Sequence, residues 1–168
     1  MFIVSVYAVS MHSSAVVIDV LSPFARGKNQ RKDSPVALRP AAQNFGRSTP
    51  ISTFVLEIVY SVGAEKIAGA IAESVKPRYG GSPSDVNALE SLIIEGLNRK
   101  GGQASKGTVF HFDCSEEGVR VTADGALQGM TNFKGMGNAF VEVFMDDNAV
   151  SPTLIDSCLD TWTAVALG

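Results

Sequence analysis

The sequence predicts an α+β fold: an antiparallel sheet with helices layered on one face. Between Thr108 and Met130 apolar and polar side chains alternate in three short runs, the two-residue period of strands with unlike faces. Asp124-Gly125 between the second and third runs is a strong hairpin signal, because both central positions of a type I′ turn need positive φ. The strands fall in groups set apart from the helical stripes, without strict βαβ alternation. That grouping favours an antiparallel sheet over a doubly wound parallel one.

Phe2 to Val9 reads as the first strand, with Ile3, Ser5, Tyr7 and Val9 on one side and Phe2, Val4, Val6 and Ala8 on the other. Both faces are mostly apolar, so a central or tunnel-lining strand is expected rather than a solvated edge. Ser13 to Leu21 suits a short helix capped by Ser13 or Ser14 and closed by Pro23. Residues 27–52 are basic, contain three prolines and carry few large apolar groups, the composition of an irregular surface loop or insert. Phe54 to Tyr60 is a strand of high β propensity.

Ser61 precedes a helix over Ala64 to Lys76, with Ile67, Ile71 and Val75 as its apolar stripe and Pro77 ending it. Ser82-Pro83-Ser84-Asp85 supplies a capping box with proline at the first helical position. Val86, Leu89, Ile93 and Leu97 form the buried face of that helix, and Gly101-Gly102 terminates it. Phe110 and Phe112, Val119 and Val121, and the run Ala126 to Met130 then make a meander. Phe140, Val141, Val143 and Phe144 give the next short helix a wide apolar face. Ser151-Pro152 opens the last helix, whose Leu154, Ile155, Cys158, Leu159, Trp162 and Ala166 recur as a core-facing stripe.

At 168 residues the chain is ample for one domain, expected over 1–168, and short for two. With a net charge of −3 it has no basic excess to suit a phosphate backbone, so no nucleic-acid partner is expected. Cys114 and Cys158 make neither metal spacing nor a disulfide framework, and there are only two histidines; no metal and no cofactor is expected. Asp146 and Asp147 read as turn and cap residues and not as a cation site. Met130, Phe133 and Met136 flank a Gly-rich corner, as the mouth of a ligand site or as core filler. No apolar run approaches the roughly 18 residues of a membrane span. The opening MFIVSVYAVS lacks a basic leader and suits a strand better than a signal peptide. A monomer is favoured.

The order from strand to helix to Ala149-Val150-Ser151-Pro152 and a final amphipathic helix resembles the C-terminal part of the chalcone isomerase family. The likeness is greater to its plant fatty-acid-binding, non-catalytic branch than to the isomerases. It continues upstream through Val59-Tyr60-Ser61-Val62-Gly63-Ala64-Glu65-Lys66 and Ser74-Val75-Lys76-Pro77-Arg78 to Val6-Tyr7-Ala8-Val9. Most of the chain is covered except residues 27–52, where the family has a helix-bearing link. The resemblance implies that further strands, an arginine and any plastid-targeting segment would precede Met1. The chain is thus expected to be N-terminally incomplete.

What the resemblance implies about chemistry can be weighed residue by residue. Ring closure of a chalcone needs donors that hold a phenolate and polarise a carbonyl inside a shaped apolar cleft. The isomerase threonine, tyrosine, asparagine and final hydroxyl fall at Tyr7, Lys66, Glu73 and near Val143, and none is kept. No catalytic residue is therefore assigned. The fatty-acid-binding branch places a tyrosine at the Tyr7 position, where with an arginine it holds the ligand carboxylate while an apolar tunnel takes the chain. A charge-assisted hydrogen bond contributes roughly 1.5–3 kcal/mol. A dozen methylenes contribute on the order of 10 kcal/mol gross, so the apolar space matters more than the head-group contact. The expectation is a non-catalytic protein holding a medium- or long-chain fatty acid, with Tyr7 as its head-group ligand and a role in plastid fatty-acid metabolism in the chloroplast stroma. The alternatives are a chalcone–flavanone isomerase, a truncated product that binds nothing, and a cytoplasmic location. Lys66 is a second candidate for a ligand carboxylate, or a solvated helix residue.

Overall fold

A computed structural model describes residues 7–13, 43 and 52–167. Five strands form one antiparallel sheet in the order β1 (Tyr7–Ser13), β2 (Ser52–Ile58), β5 (Val109–Ser115), β6 (Gly118–Ala123) and β7 (Ala126–Thr131). Two further strands of two residues each, β3 (Val62–Gly63) and β4 (Gln103–Ala104), pair with one another. The described helices are α1 (Ala64–Val75), α2 (Pro83–Asn98), α3 (Met136–Met145) and α4 (Pro152–Leu167). The α+β class, the meander and the one-sided helical layer are all as expected.

Cross-strand register decides which face is covered. Met11, Phe54, Phe112 and Val121 stand in one row, and Val9, Leu56, Phe110 and Ala123 in the next. Apart from half-buried Val9 these residues are buried, beneath helices α2 and α3 and, at β1, beside α4. The opposite face carries Glu57 and Arg120 in solvent and half-buried Thr53, His111 and Asp113; the Thr53 hydroxyl donates to Asp113 Oδ1 at 2.7 Å. The alternation along each strand thus becomes one dry and one wet side.

Over β2, β5 and α3 the dry side is a filled core. Phe54, Phe110, Phe112, Phe140 and Phe144 are all but fully buried. Their rings stack at 4.7 Å (Phe112–Phe140) and 4.8 Å (Phe54–Phe144), with the other neighbours at 5.8–6.0 Å. The apolar tunnel anticipated between sheet and helices is therefore closed at this place by aromatic side chains. Gly137 lets α3 approach: a Cβ there would meet the Ser115 carbonyl oxygen at 2.2 Å. At the hairpin, Asp124 and Gly125 have φ of 46° and 80°, the pair of positive values the sequence calls for.

The capping box of α2 is present: Ser82 accepts from the Ser84 N–H, and Asp85 accepts from the Ser82 N–H. Asp85 Oδ2 also accepts from the Tyr79 hydroxyl at 2.7 Å. Burial first, and then this hydrogen bond, push the Tyr79 phenol up to about 12 from its ordinary 10.0. The folded chain keeps a proton that the unfolded chain gives up near pH 10. The resulting stability is complete below pH 10 and lost as pH rises towards 12. Urea midpoints taken across that window should fall more steeply for the natural protein than for Tyr79→Phe; parallel declines would contradict the assignment.

Two expectations at the N-terminal side are corrected. Among the described residues β1 is an edge strand, and Ala8, Ser10 and His12 on its outer face are exposed. The strand also runs on through Ser10–Ser13 instead of ending before a helix at Ser13, because pairing with Ser52–Val55 supplies the backbone partners. Residues 1–6, the helix expected beyond Ser13, and the 27–52 loop lie outside the described residues, except for Gln43 and Ser52. The Gln43 side-chain amide donates to the Asn138 carbonyl and to Glu142 Oε1 of α3, both at 3.2 Å. Ser52 is a buried strand residue and no part of a loop.

Candidate functional site

The period of two along β1 sends Tyr7, Val9 and Met11 to the dry side of the sheet, opposite Ile58, Leu56 and Phe54. Helix α4 runs beside this strand. Its stripe Leu154, Cys158 and Trp162 is buried, but the elements do not close fully on one another. Between them lies a half-open cleft of about 590 Å³, within the size range of small-molecule sites. Its apolar walls are Val9, Met11, Leu154, Cys158 and Trp162, and Tyr7 stands at the same wall.

Tyr7 is half-buried, and burial raises its phenol above the ordinary value. It is therefore a neutral donor at physiological pH, and its hydroxyl makes no hydrogen bond among the described residues. The described lining contains no Asp, Glu, Lys, Arg or His, so its polar surface comes from hydroxyl groups and from the main chain of the edge strand β1. Burial pushes the Cys158 thiol up to about 11. It sits in the wall as a thiol and not as a thiolate nucleophile. The buried Cys114 is shifted the same way, for the same reason.

The other sequence candidates are placed elsewhere. Lys66 and Glu73 are exposed on α1, where Glu73 faces Lys76 at 3.7 Å. Val143 is buried in α3. None of the three lines the cleft with Tyr7, so the positions matched to the isomerase donors are not brought together. Met136 is core filler, Met130 and Phe133 are half-buried, and none lines the cleft. Asp146 caps the C-terminus of α3 and is held by Arg78, with Nε to Oδ2 at 2.7 Å and Nη2 to Oδ1 at 3.0 Å. Among the described residues no group of three or more His, Cys, Asp or Glu side chains is placed to hold a metal ion. No described helix is long and apolar enough to cross a membrane. A second hollow of about 420 Å³ at Glu116, Glu117, Asn132 and Lys134 is lined by exposed side chains of both signs.

Sequence reading identified Tyr7 but treated Leu154, Cys158 and Trp162 only as a core stripe. It passed over the hydroxyls one position before each of them. Thr153, Ser157 and Thr161 recur every four residues and all line the cleft. That spacing was the available signal.

No family model and no curated protein matches the chain in sequence. Among solved structures, that of an Arabidopsis thaliana fatty-acid binding protein matches over 97% of this chain and 81% of its own, with a TM-score of 0.65 and 17% sequence identity. The backbones thus agree at low sequence identity, and the chain has the chalcone isomerase-like fold of that plant protein.

Proposed function

We propose that the chain is a non-catalytic fatty-acid-binding protein that holds its ligand in the cleft between β1 and α4. One observation carries the reading: half-buried Tyr7, whose hydroxyl has no hydrogen bond among the described residues, stands at the wall of a cleft of about 590 Å³ that also exposes Val9, Met11, Leu154 and Trp162. Val9, Met11, Leu154 and Trp162 accept methylenes at about 0.8 kcal/mol each when fully buried. Tyr7 donates to the carboxylate. The likeness to a fatty-acid binding protein supports this ligand class, and the separation of Tyr7 from Lys66, Glu73 and Val143 supports binding without ring closure. The proposed setting is plastid fatty-acid metabolism.

Trp162 is the chain's one tryptophan and lines the cleft, so its fluorescence reports occupancy directly. Native mass spectrometry should detect co-purified fatty acid, and oleate should change Trp162 emission saturably. Protein that carries no acid and shows no response to oleate would sink the proposal. Tyr7→Phe keeps the ring and removes the donor. It should weaken oleate binding about tenfold, the value of one charge-assisted hydrogen bond, and leave oleyl alcohol within about twofold. An equal loss for both ligands would mean that Tyr7 acts by packing alone.

A further inference from the structure

We infer that the cleft selects acyl chains carrying a hydroxyl or keto oxygen along their length, over plain hydrocarbon chains. This rests on the fatty-acid reading above. Helix α4 presents two parallel lines to the cleft. One is Leu154, Cys158 and Trp162, buried and apolar; the other is Thr153, Ser157 and Thr161, exposed and each bearing a hydroxyl. Residues four apart lie one above another, so the hydroxyl line extends about 12 Å along the helix. Across the cleft stand Tyr7, Val9 and Met11 of β1.

None of the hydroxyls of Thr153, Ser157 and Thr161 makes a side-chain hydrogen bond among the described residues. Exposed on α4, they are open to water. A plain methylene chain laid along α4 displaces that water and offers nothing in return, which opposes binding. A chain with a mid-chain oxygen keeps its methylenes against Leu154 and Trp162 and bonds a hydroxyl of the parallel line. That hydrogen bond is open to the oxygenated chain and not to the plain one. Tyr7 serves the carboxylate in both ligands and so does not distinguish them.

Ricinoleate is oleate with one added mid-chain hydroxyl, and the pair isolates the effect. Titrated by Trp162 fluorescence, the natural protein should bind ricinoleate about fivefold tighter than oleate, one neutral hydrogen bond's worth. In the triple variant Thr153→Val, Ser157→Ala, Thr161→Val the ratio should fall to about one. All three positions are exposed on α4, and Ser157→Ala alone, which should at least narrow the ratio, serves if the triple variant folds poorly. Equal affinities in the natural protein, or a preference that survives the triple variant, would overturn this inference while leaving fatty-acid binding in place. Failure to bind either acid would overturn both.

Discussion

Phe140→Ala should lower folding stability by about 4 kcal/mol, read as a reduced urea midpoint at unchanged slope. Phe140 is 1% exposed and touches Phe54, Phe112 and Phe144 with ring centroids at 5.8, 4.7 and 5.8 Å. Truncation removes the transfer free energy of a benzyl group and leaves a void that β5 and α3 cannot close. Gly137 already sets α3 against the Ser115 carbonyl. The same variant tests where the ligand lies. Phe140 does not line the cleft between β1 and α4, so oleate affinity by Trp162 fluorescence should stay within about twofold under conditions where the variant is folded. If truncation instead tightens oleate binding tenfold or more, the acyl chain runs between sheet and helices. The site would then be an enclosed tunnel that Phe140 normally obstructs.

The contrast between the filled core and the open cleft also separates what was legible in the sequence from what was not. The strand periods, the stripes Ile67–Ile71–Val75 and Val86–Leu89–Ile93–Leu97, the Ser82 capping box and the Asp124-Gly125 turn are local signals, and each stands as read. Position within the sheet is not local. The run of apolar residues around Tyr7 suggested two covered faces. Yet Ala8, Ser10 and His12 lie on the wet face of the sheet and are exposed, and the described sheet ends at β1. Ser10–Ser13 have weak β propensity, and their strand state comes from pairing with Ser52–Val55, some forty residues on. Tyr7 was identified through resemblance, whereas the hydroxyl line of α4 was visible as spacing but looked like an ordinary solvated helix face. Whether an apolar stripe meets a partner or a cleft is settled by packing between distant elements, which periodicity does not encode.

Arg78→Ala should cost about 3 kcal/mol, the usual consequence of removing one member of a largely buried ion pair. The Arg78 and Asp146 side chains are only 10% and 17% exposed, and their fork geometry is bidentate. Arg78 also donates to the carbonyls of Ser74 at 2.6 Å and Asn148 at 2.9 Å. One guanidinium thereby joins the end of α1 to the turn between α3 and α4, 68 residues away. Arg78→Lys keeps the charge but loses the fork, and should recover only part of the loss. The functional consequence follows from what this turn carries. Asp146 caps α3, the Val150 N–H donates to the Val143 carbonyl at 2.9 Å, and Val150 and Ser151 begin the cleft wall that α4 continues. Loosening the turn should let α4 drift from β1. Oleate and oleyl alcohol should then weaken by the same factor, in contrast to Tyr7→Phe, which spares the alcohol. Were Arg78→Ala to weaken the acid alone, Arg78 would be the ligand's cation, and the distance between its Asp146 clamp and the cleft would have to close on binding.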